Sequence, residues 1–243
     1  STSEPFARLE FLGFILAEDG RKMSKRYGNV INPTDVVEQF GADAFRVYEM
    51  FMGPFENTTV WSTASINGTA RFIERVWKAQ ALVTETANPK LDALLAQTIL
   101  KVTSDIESFK FNTAVSQMMI FLNAIEDQKT IGKAQWESFL KVLAPFAPHI
   151  TEELWIGGGN TESIHISKWP EAELAALQNE TVTIGVQVNG KVRGTITLAK
   201  NAPEEEALSL ARSEESVAKW LAEGREVQAK YVPGRIVSFV VEK

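Results

Sequence analysis

The chain contains no cysteine. That removes disulfides, thiolate zinc sites, iron–sulfur clusters and a cysteine nucleophile together. Histidine is scarce: His149 and His165 are the two present, too few and too far apart for a histidine-based metal centre or catalytic dyad. No apolar run approaches the roughly 18–20 residues of a membrane span, so no membrane partner is expected. The chain opens at Ser1 without an initiator Met or the pattern of a secretory leader, as a piece of a longer protein would. What remains is a 243-residue sequence, 44% hydrophobic and 23% charged, with 15 Gly and 9 Pro. That profile belongs to a globular protein of more than one domain.

Lysine and arginine number 25 against 31 acidic residues, a net charge of −6. The excess acid lies in the first two thirds. Residues 176–243 hold 9 basic and 9 acidic side chains, a neutral tail in an acidic protein. Within that tail the acids cluster at Glu204, Glu205 and Glu206, whereas Lys191, Arg193, Arg225, Lys230 and Arg235 lie near expected strands and turns. A local basic face there competes with an ordinary mixed-charge surface.

Three patterns follow one another along the chain. Residues 1–60 begin with the apolar run Phe11–Ala17, suited to a buried strand, and turn at Asp19-Gly20 into a cationic loop, Arg21 to Asn29. Asn32 as N-cap, Pro33 at N1 and Asp35 in the first turn open a helix to Phe40, stopped by Gly41. A second helix runs from Asp43 to Met52. Residues 61–176 read as an antiparallel bundle. Its stripes are Ile73/Val76/Trp77, Leu91/Leu94/Leu95/Val102/Ile106, Val115/Met118/Met119/Leu122 and Trp136/Phe139/Leu140/Leu143. Pro148 starts a fifth helix, and Gly157-Gly158-Gly159-Asn160 is a connector. Phe72, Trp77, Trp136 and Trp155 are assigned to the core.

Residues 177–243 change period. Val182, Ile184, Val186 and Val188 alternate with polar or small residues, and Asn189-Gly190 marks a two-residue hairpin returning through Val192, Ile196 and Leu198. Pro203 with Glu204–Glu206 opens a helix, Ser213 is the expected cap of another holding Val217 and Trp220, and Val227–Val232 pairs with Ile236–Val241 across Pro233-Gly234. The fold class is therefore multidomain, α followed by a small α+β unit with two hairpins.

Chemistry concentrates in Lys22-Met23-Ser24-Lys25. Two ammonium groups three residues apart, on a loop between strand and helix, can approach one polyanion from the same side and stabilise charge on phosphate oxygens. A solvated basic turn is the alternative for any isolated K-x-x-K. Asp43 and Arg46, one helical turn apart, suggest a helix-surface or interdomain pair rather than an acid–base couple.

Lys22 to Arg26 resembles the Lys-Met-Ser-Lys-Ser signature of class I aminoacyl-tRNA synthetases. Gly28-Asn29-Val30 and Phe40 to Ala44 continue the likeness, and Phe111–Ala114 with Ala144–Trp155 resemble the anticodon-binding helical domain of the Leu/Ile/Val subgroup. Val186–Gly194 and Tyr231–Gly234 are similar to the small C-terminal domain of the bacterial leucyl branch. The valyl and isoleucyl branches fit less well. The latter implies a Cys-rich tail and the former a charged coiled coil, neither of which is present.

The resemblance implies that residues 1–60 end a catalytic domain, 61–176 form the bundle and 177–243 the small tRNA-binding domain. It implies that Lys22 and Lys25 are catalytic, gripping the ATP β- and γ-phosphates while leucyl-adenylate forms, with Met23, Ser24 and Arg26 completing the ATP loop. Mg²⁺ would accompany ATP, with no protein-bound metal. The implied partners are tRNA(Leu), through Arg71, Arg75, Lys191, Arg193, Arg225, Lys230 and Arg235, and an N-terminal catalytic part. The whole enzyme would be monomeric and cytoplasmic. Two departures stand out: Arg26 replaces the signature's Ser, and the His-Ile-Gly-His signature does not occur in these residues. The chain alone is expected to be inactive, with apolar surface exposed around Phe11, Phe14 and Leu16 where sheet strands would pack. A stand-alone, non-catalytic tRNA-binding module, or a structural subunit completing a partner's site, is the competing reading.

Overall fold

A computed structural model describes residues 6, 8–178, 181–199 and 202–242. They form two compact units, residues 1–172 and 173–243.

In the first unit, strand β1 (Ile15–Leu16) is followed by the loop, helix α1 (Pro33–Phe40), helix α2 (Ala42–Phe51) and strand β2 (Thr59–Val60). The expected strand over Phe11–Ala17 shrinks to two residues, paired in parallel with β2. Two residues of β2 are all that the described chain offers as a ladder, so Phe11 and Phe14 stay 78% and 62% exposed. Leu16, expected to be exposed with them, is half-buried. The Asn32 side chain accepts from the Thr34 amide, Pro33 takes N1, and Gly41, at φ 86°, closes α1 as the sequence indicates.

Five helices then build the bundle: α3 (Thr63–Ala79), α4 (Pro89–Glu107), α5 (Phe111–Gln128), α6 (Lys133–Leu143) and α7 (Pro148–Gly157). A short parallel pair, β3 (Val83–Thr84) with β4 (Ile131–Gly132), joins two of the connections. Phe72, Val76, Leu91, Val102, Val115, Met118, Leu122, Phe139 and Leu143 share one core that also takes Val47 of α2. Trp77 corrects the sequence assignment. It is 45% exposed, because α3 turns Phe72 and Val76 inward and leaves Trp77 beside its exposed Glu74 and Lys78. The buried Gln135 is fully used: its Oε1 accepts from the amides of Asn88 and Gly132, and its Nε2 donates to the Asn88 carbonyl, tying the start of α6 to the start of α4.

Helix α7 is capped from another element. Pro148 has no N–H to offer, and the next two amides, of His149 and Ile150, donate to the Asp43 carboxylate of α2 at 3.3 and 2.7 Å. His149 Nδ1 lies 2.8 Å from the same group. Arg46, one turn along α2, donates to the Pro145 carbonyl at 3.1 Å. Asp43 and Arg46 therefore do not pair with each other; both clamp the Pro145–Ile150 corner.

In the second unit, α8 (Leu174–Gln178) precedes β5 (Thr181–Val188), β6 (Lys191–Ala199), α9 (Glu204–Ser213), α10 (Glu215–Leu221), β7 (Arg225–Val232) and β8 (Ile236–Glu242). The two expected hairpins join through parallel β5–β8 pairing into one sheet, ordered β6-β5-β8-β7. The Asn189-Gly190 turn has positive φ at both positions, as a tight hairpin demands. Ser213 is not the cap of α10: it ends α9, its hydroxyl donating to Leu210, and Glu214 takes the cap position. Gly194 is required by packing, since a Cβ there would lie 2.4 Å from Ser216 Oγ on α10.

Asp43 is 7% exposed and makes charge-assisted bonds to two amides, so removing it leaves the α7 terminus without partners. Asp43→Ala is expected to destabilise the first unit by about 2–3 kcal/mol, and Asp43→Asn by roughly half that, read by chemical denaturation followed by circular dichroism.

Candidate functional site

The cationic loop is built on a tight turn. Leu16 and Lys22 form an antiparallel bridge, the Ala17 amide donates to the Arg21 carbonyl at 2.9 Å, and Gly20 turns the chain at φ 74°. Ser24 then caps a single 3₁₀ turn, Lys25–Tyr27, its hydroxyl accepting from the Arg26 amide, and Gly28 ends that turn at φ 65°. Met23 is half-buried and packs against the cluster of Val36, Tyr48, Trp61 and Ile66. One apolar side chain thus holds the loop down while its cations face water.

Lys22, Lys25 and Arg26 are exposed, and none pairs with a carboxylate among the described residues. The Lys22 ammonium lies 4.9 Å from the centre of the Phe14 ring, and the Arg21 guanidinium 4.8 Å from that of Tyr27. Arg21 is further held by Asp19, whose carboxylate accepts from its Nε and Nη2 at 2.9 and 2.6 Å. These bonds hold the Asp19 carboxyl below its ordinary range. Beside it, Glu18 accepts from the Thr63 amide at the start of α3 at 2.8 Å, and that bond lowers its pKa too. The base of the loop is tied to the first bundle helix. A cavity of about 320 Å³ between Ala17, Asp19, Asn29 and Thr63 adjoins this base.

The expected RNA-facing cations are placed unevenly. Arg71 is exposed, its Nε donating to the Asn67 carbonyl of its own helix. Arg75 is committed within the bundle: it bonds both Glu126 oxygens and Asn123 on α5. The Glu126 bonds raise the Arg75 pKa, and the same pair lowers that of Glu126.

In the second unit, Lys191, Arg225, Lys230 and Arg235 are exposed. Arg193 is not free in the same way. The β5–β6 register slips there, leaving Arg193 as the extra residue of a bulge, and its guanidinium stacks 3.4 Å from the Trp220 ring centre. Alternation along an undistorted strand would have put Lys191 and Arg193 side by side. The residues that sequence reasoning missed are those around the cations: Phe14, Asp19, Asn29, Glu126 and Trp220. The Gly28-Asn29 pair after the loop was the available signal for one of them.

Comparison with known proteins places this geometry. Residues 1–60 match the family of class I tRNA synthetases (I, L, M and V), and residues 90–208 match the anticodon-binding domain of tRNA ligase. Leucine–tRNA ligases from two isolates of Leptospira biflexa serovar Patoc strain Patoc 1 are 45% identical over 250 aligned positions, 99% of this chain. Over nearly its whole length the chain is similar to these leucine–tRNA ligases. It corresponds to the C-terminal portion and spans 29% of the length of those relatives. The fold agrees: the LeuRS of Agrobacterium radiobacter K84 agnB2, solved as a ternary complex with tRNA and LeuAMS, superposes with a TM-score of 0.84. It is 31% identical, and the match covers all of this chain and 34% of that one.

The Arg75–Glu126 pair carries a pH prediction. Because Glu126 is lowered in the folded state, its contribution is in place at neutral pH and fades as pH falls through that lowered value. Both side chains are 38% exposed, so Arg75→Ala is expected to cost only about 0.2–1 kcal/mol at neutral pH. The difference from the parent chain should close as pH falls through the lowered Glu126 value, measured by urea unfolding across pH.

Proposed function

We propose that this chain supplies the phosphate-gripping loop and the tRNA-binding domains of an enzyme that joins leucine to tRNA(Leu) through leucyl-adenylate. The observation that carries the reading is Lys22-Met23-Ser24-Lys25. Its lysines are exposed without carboxylate partners among the described residues, on a turn anchored by Met23, in a chain 45% identical to leucine–tRNA ligases.

In this reading ATP is a substrate. The leucine carboxylate attacks the α-phosphorus, the bond to the bridging oxygen of the β-phosphate breaks, and pyrophosphate leaves. Lys22 and Lys25 meet the negative charge that grows on the leaving β- and γ-phosphates, which lowers the barrier only if those contacts are strongest in the transition state. Arg26 adds a further cation where the family signature has Ser. The ammonium of Lys22 must leave the Phe14 ring to reach a phosphate, a small cost against a full negative charge.

Mg²⁺ belongs here with the substrate. Among the described residues no group of three or more His, Asp or Glu suited to a metal occurs. We assign residues 1–60, 61–176 and 177–243 to the catalytic end, the bundle and the terminal tRNA-binding domain. The acylated partner is tRNA, touched by Arg71 and by Lys191, Arg225, Lys230 and Arg235. Such contacts position RNA through its backbone rather than reading its sequence. Adenylate formation needs the nucleotide pocket of the N-terminal catalytic part, so the chain is inactive by itself. The intact enzyme is read as a cytoplasmic monomer. No described helix is long and apolar enough to cross a membrane.

Joined to its N-terminal catalytic part, the Lys25→Ala ligase is expected to lose ATP–pyrophosphate exchange by about 10²–10³-fold, the scale of one charged transition-state contact. Retention of full exchange by that variant would sink the reading.

A further inference from the structure

The amide of Asn29 spans the loop between the two lysines. The Ser24 amide donates to Asn29 Oδ1 at 2.9 Å. Because an N–H only donates, that bond fixes the orientation of the Asn29 carboxamide and turns its Nδ2 the other way. There Nδ2 is 3.4 Å from both Asp19 oxygens and 3.5 Å from the Lys22 carbonyl. Asp19 is itself fixed by the Arg21 backbone amide at 3.0 Å and by the Arg21 guanidinium. One side chain therefore reaches the entry turn through Asp19 and both backbone groups that bracket Met23. Gly28, in the left-handed region, brings Asn29 back under the loop.

We propose that Asn29 is a positioning residue for the phosphate-transfer step. It sets the backbone from Lys22 to Ser24, so that Lys22 and Lys25 leave one fixed turn and reach the nucleotide together. This rests on the phosphate-loop reading above. Asn29 need not touch ATP; it acts through the lysines. It also occupies the Ser24 N–H, so that amide is not available to a phosphate while the clamp is closed.

The swap of partners makes the idea testable. Asn29→Ala removes the bonds to Ser24, Asp19 and Lys22. Asn29→Asp keeps an acceptor for Ser24 but sets a second carboxylate against Asp19. The double variant Asp19→Asn/Asn29→Asp restores a donor facing an acceptor. In the full 243-residue chain, hydrogen exchange at the Ser24 amide should speed up about fivefold or more in Asn29→Ala, the factor for one hydrogen bond. It should return toward the parent rate in the double variant.

In the intact ligase, Asn29→Ala and Asn29→Asp should lower kcat/KM for ATP in pyrophosphate exchange by about fivefold or more. The KM for leucine should stay unchanged, and the double variant should recover most of the loss. Unchanged ATP kinetics in Asn29→Ala, with Lys25→Ala impaired, would overturn the positioning role alone. Equal losses in the single and double variants, or a parallel rise in the leucine KM, would also overturn it. Full activity in Lys25→Ala would overturn the phosphate-loop reading itself, and this role with it.

Discussion

A single buried carboxylate fixes how the loop-bearing segment meets the bundle. Asp43 is nearly inaccessible, and two N–H groups at the head of α7 satisfy it. Burying that charge without those donors would be costly, and leaving the donors without the charge would strand the helix terminus. Each requirement answers the other, so α2 and α7 dock in one arrangement. Helix α2 is then a shared wall: Val47 enters the bundle core, while Tyr48 enters the smaller cluster that receives Met23. The Tyr48 hydroxyl accepts from the Ser62 amide at 2.9 Å, just before α3. The position of the loop is thus referred, through α2, to the same corner that starts α7.

The loop solves a conflict between holding and presenting charge. Cations that are to meet a polyanion cannot be spent on strong local carboxylates. Arg21 is spent in this way, on Asp19, and stiffens the turn. Lys22 is given only the weak attraction of the Phe14 ring, and Lys25 and Arg26 project from a short capped turn. Rigidity comes instead from uncharged parts: Met23 in its apolar cluster, Ser24 as a cap, Asn29 as a bridge and Gly28 to close the turn. In the proposed reading, this division orders the backbone before ATP arrives while two ammonium groups remain available.

Local rules were legible in the sequence, and distant ones were not. Asn32-Pro33 and Gly41 bracket α1, Asn189-Gly190 makes its turn, and the stripes from Leu91 to Leu143 enter a core, because each is decided by neighbours within about one helical turn. The Lys22–Lys25 pair was visible for the same reason. Phe11–Ala17 failed as a strand because strand formation depends on ladder partners elsewhere. Trp77 failed as core because its helix offers a narrower buried face than its apolar spacing suggested. Asp43 reaches residues more than a hundred positions away, and no spacing rule could pair them. The β5–β8 contact, which turns two hairpins into one sheet, is of the same long-range kind.

The bulge at Arg193 shows why counting basic residues overstates an RNA surface. A guanidinium stacked on Trp220 gains attraction only while it stays there, and its buried Nε has no hydrogen-bond partner among the described residues. Arg75, in the first unit, is similarly held by Glu126. Beside Arg193, the proposed cations of the small unit are the exposed Lys191, Arg225, Lys230 and Arg235. Salt sensitivity of binding scales with the number of phosphates neutralised. Residues 176–243 carry no net charge, so the RNA contact proposed there does not rest on electrostatic attraction at a distance. In the proposed reading the unit's contribution comes from a few contacts at defined positions, on strands β6 and β7 and the turn after β7.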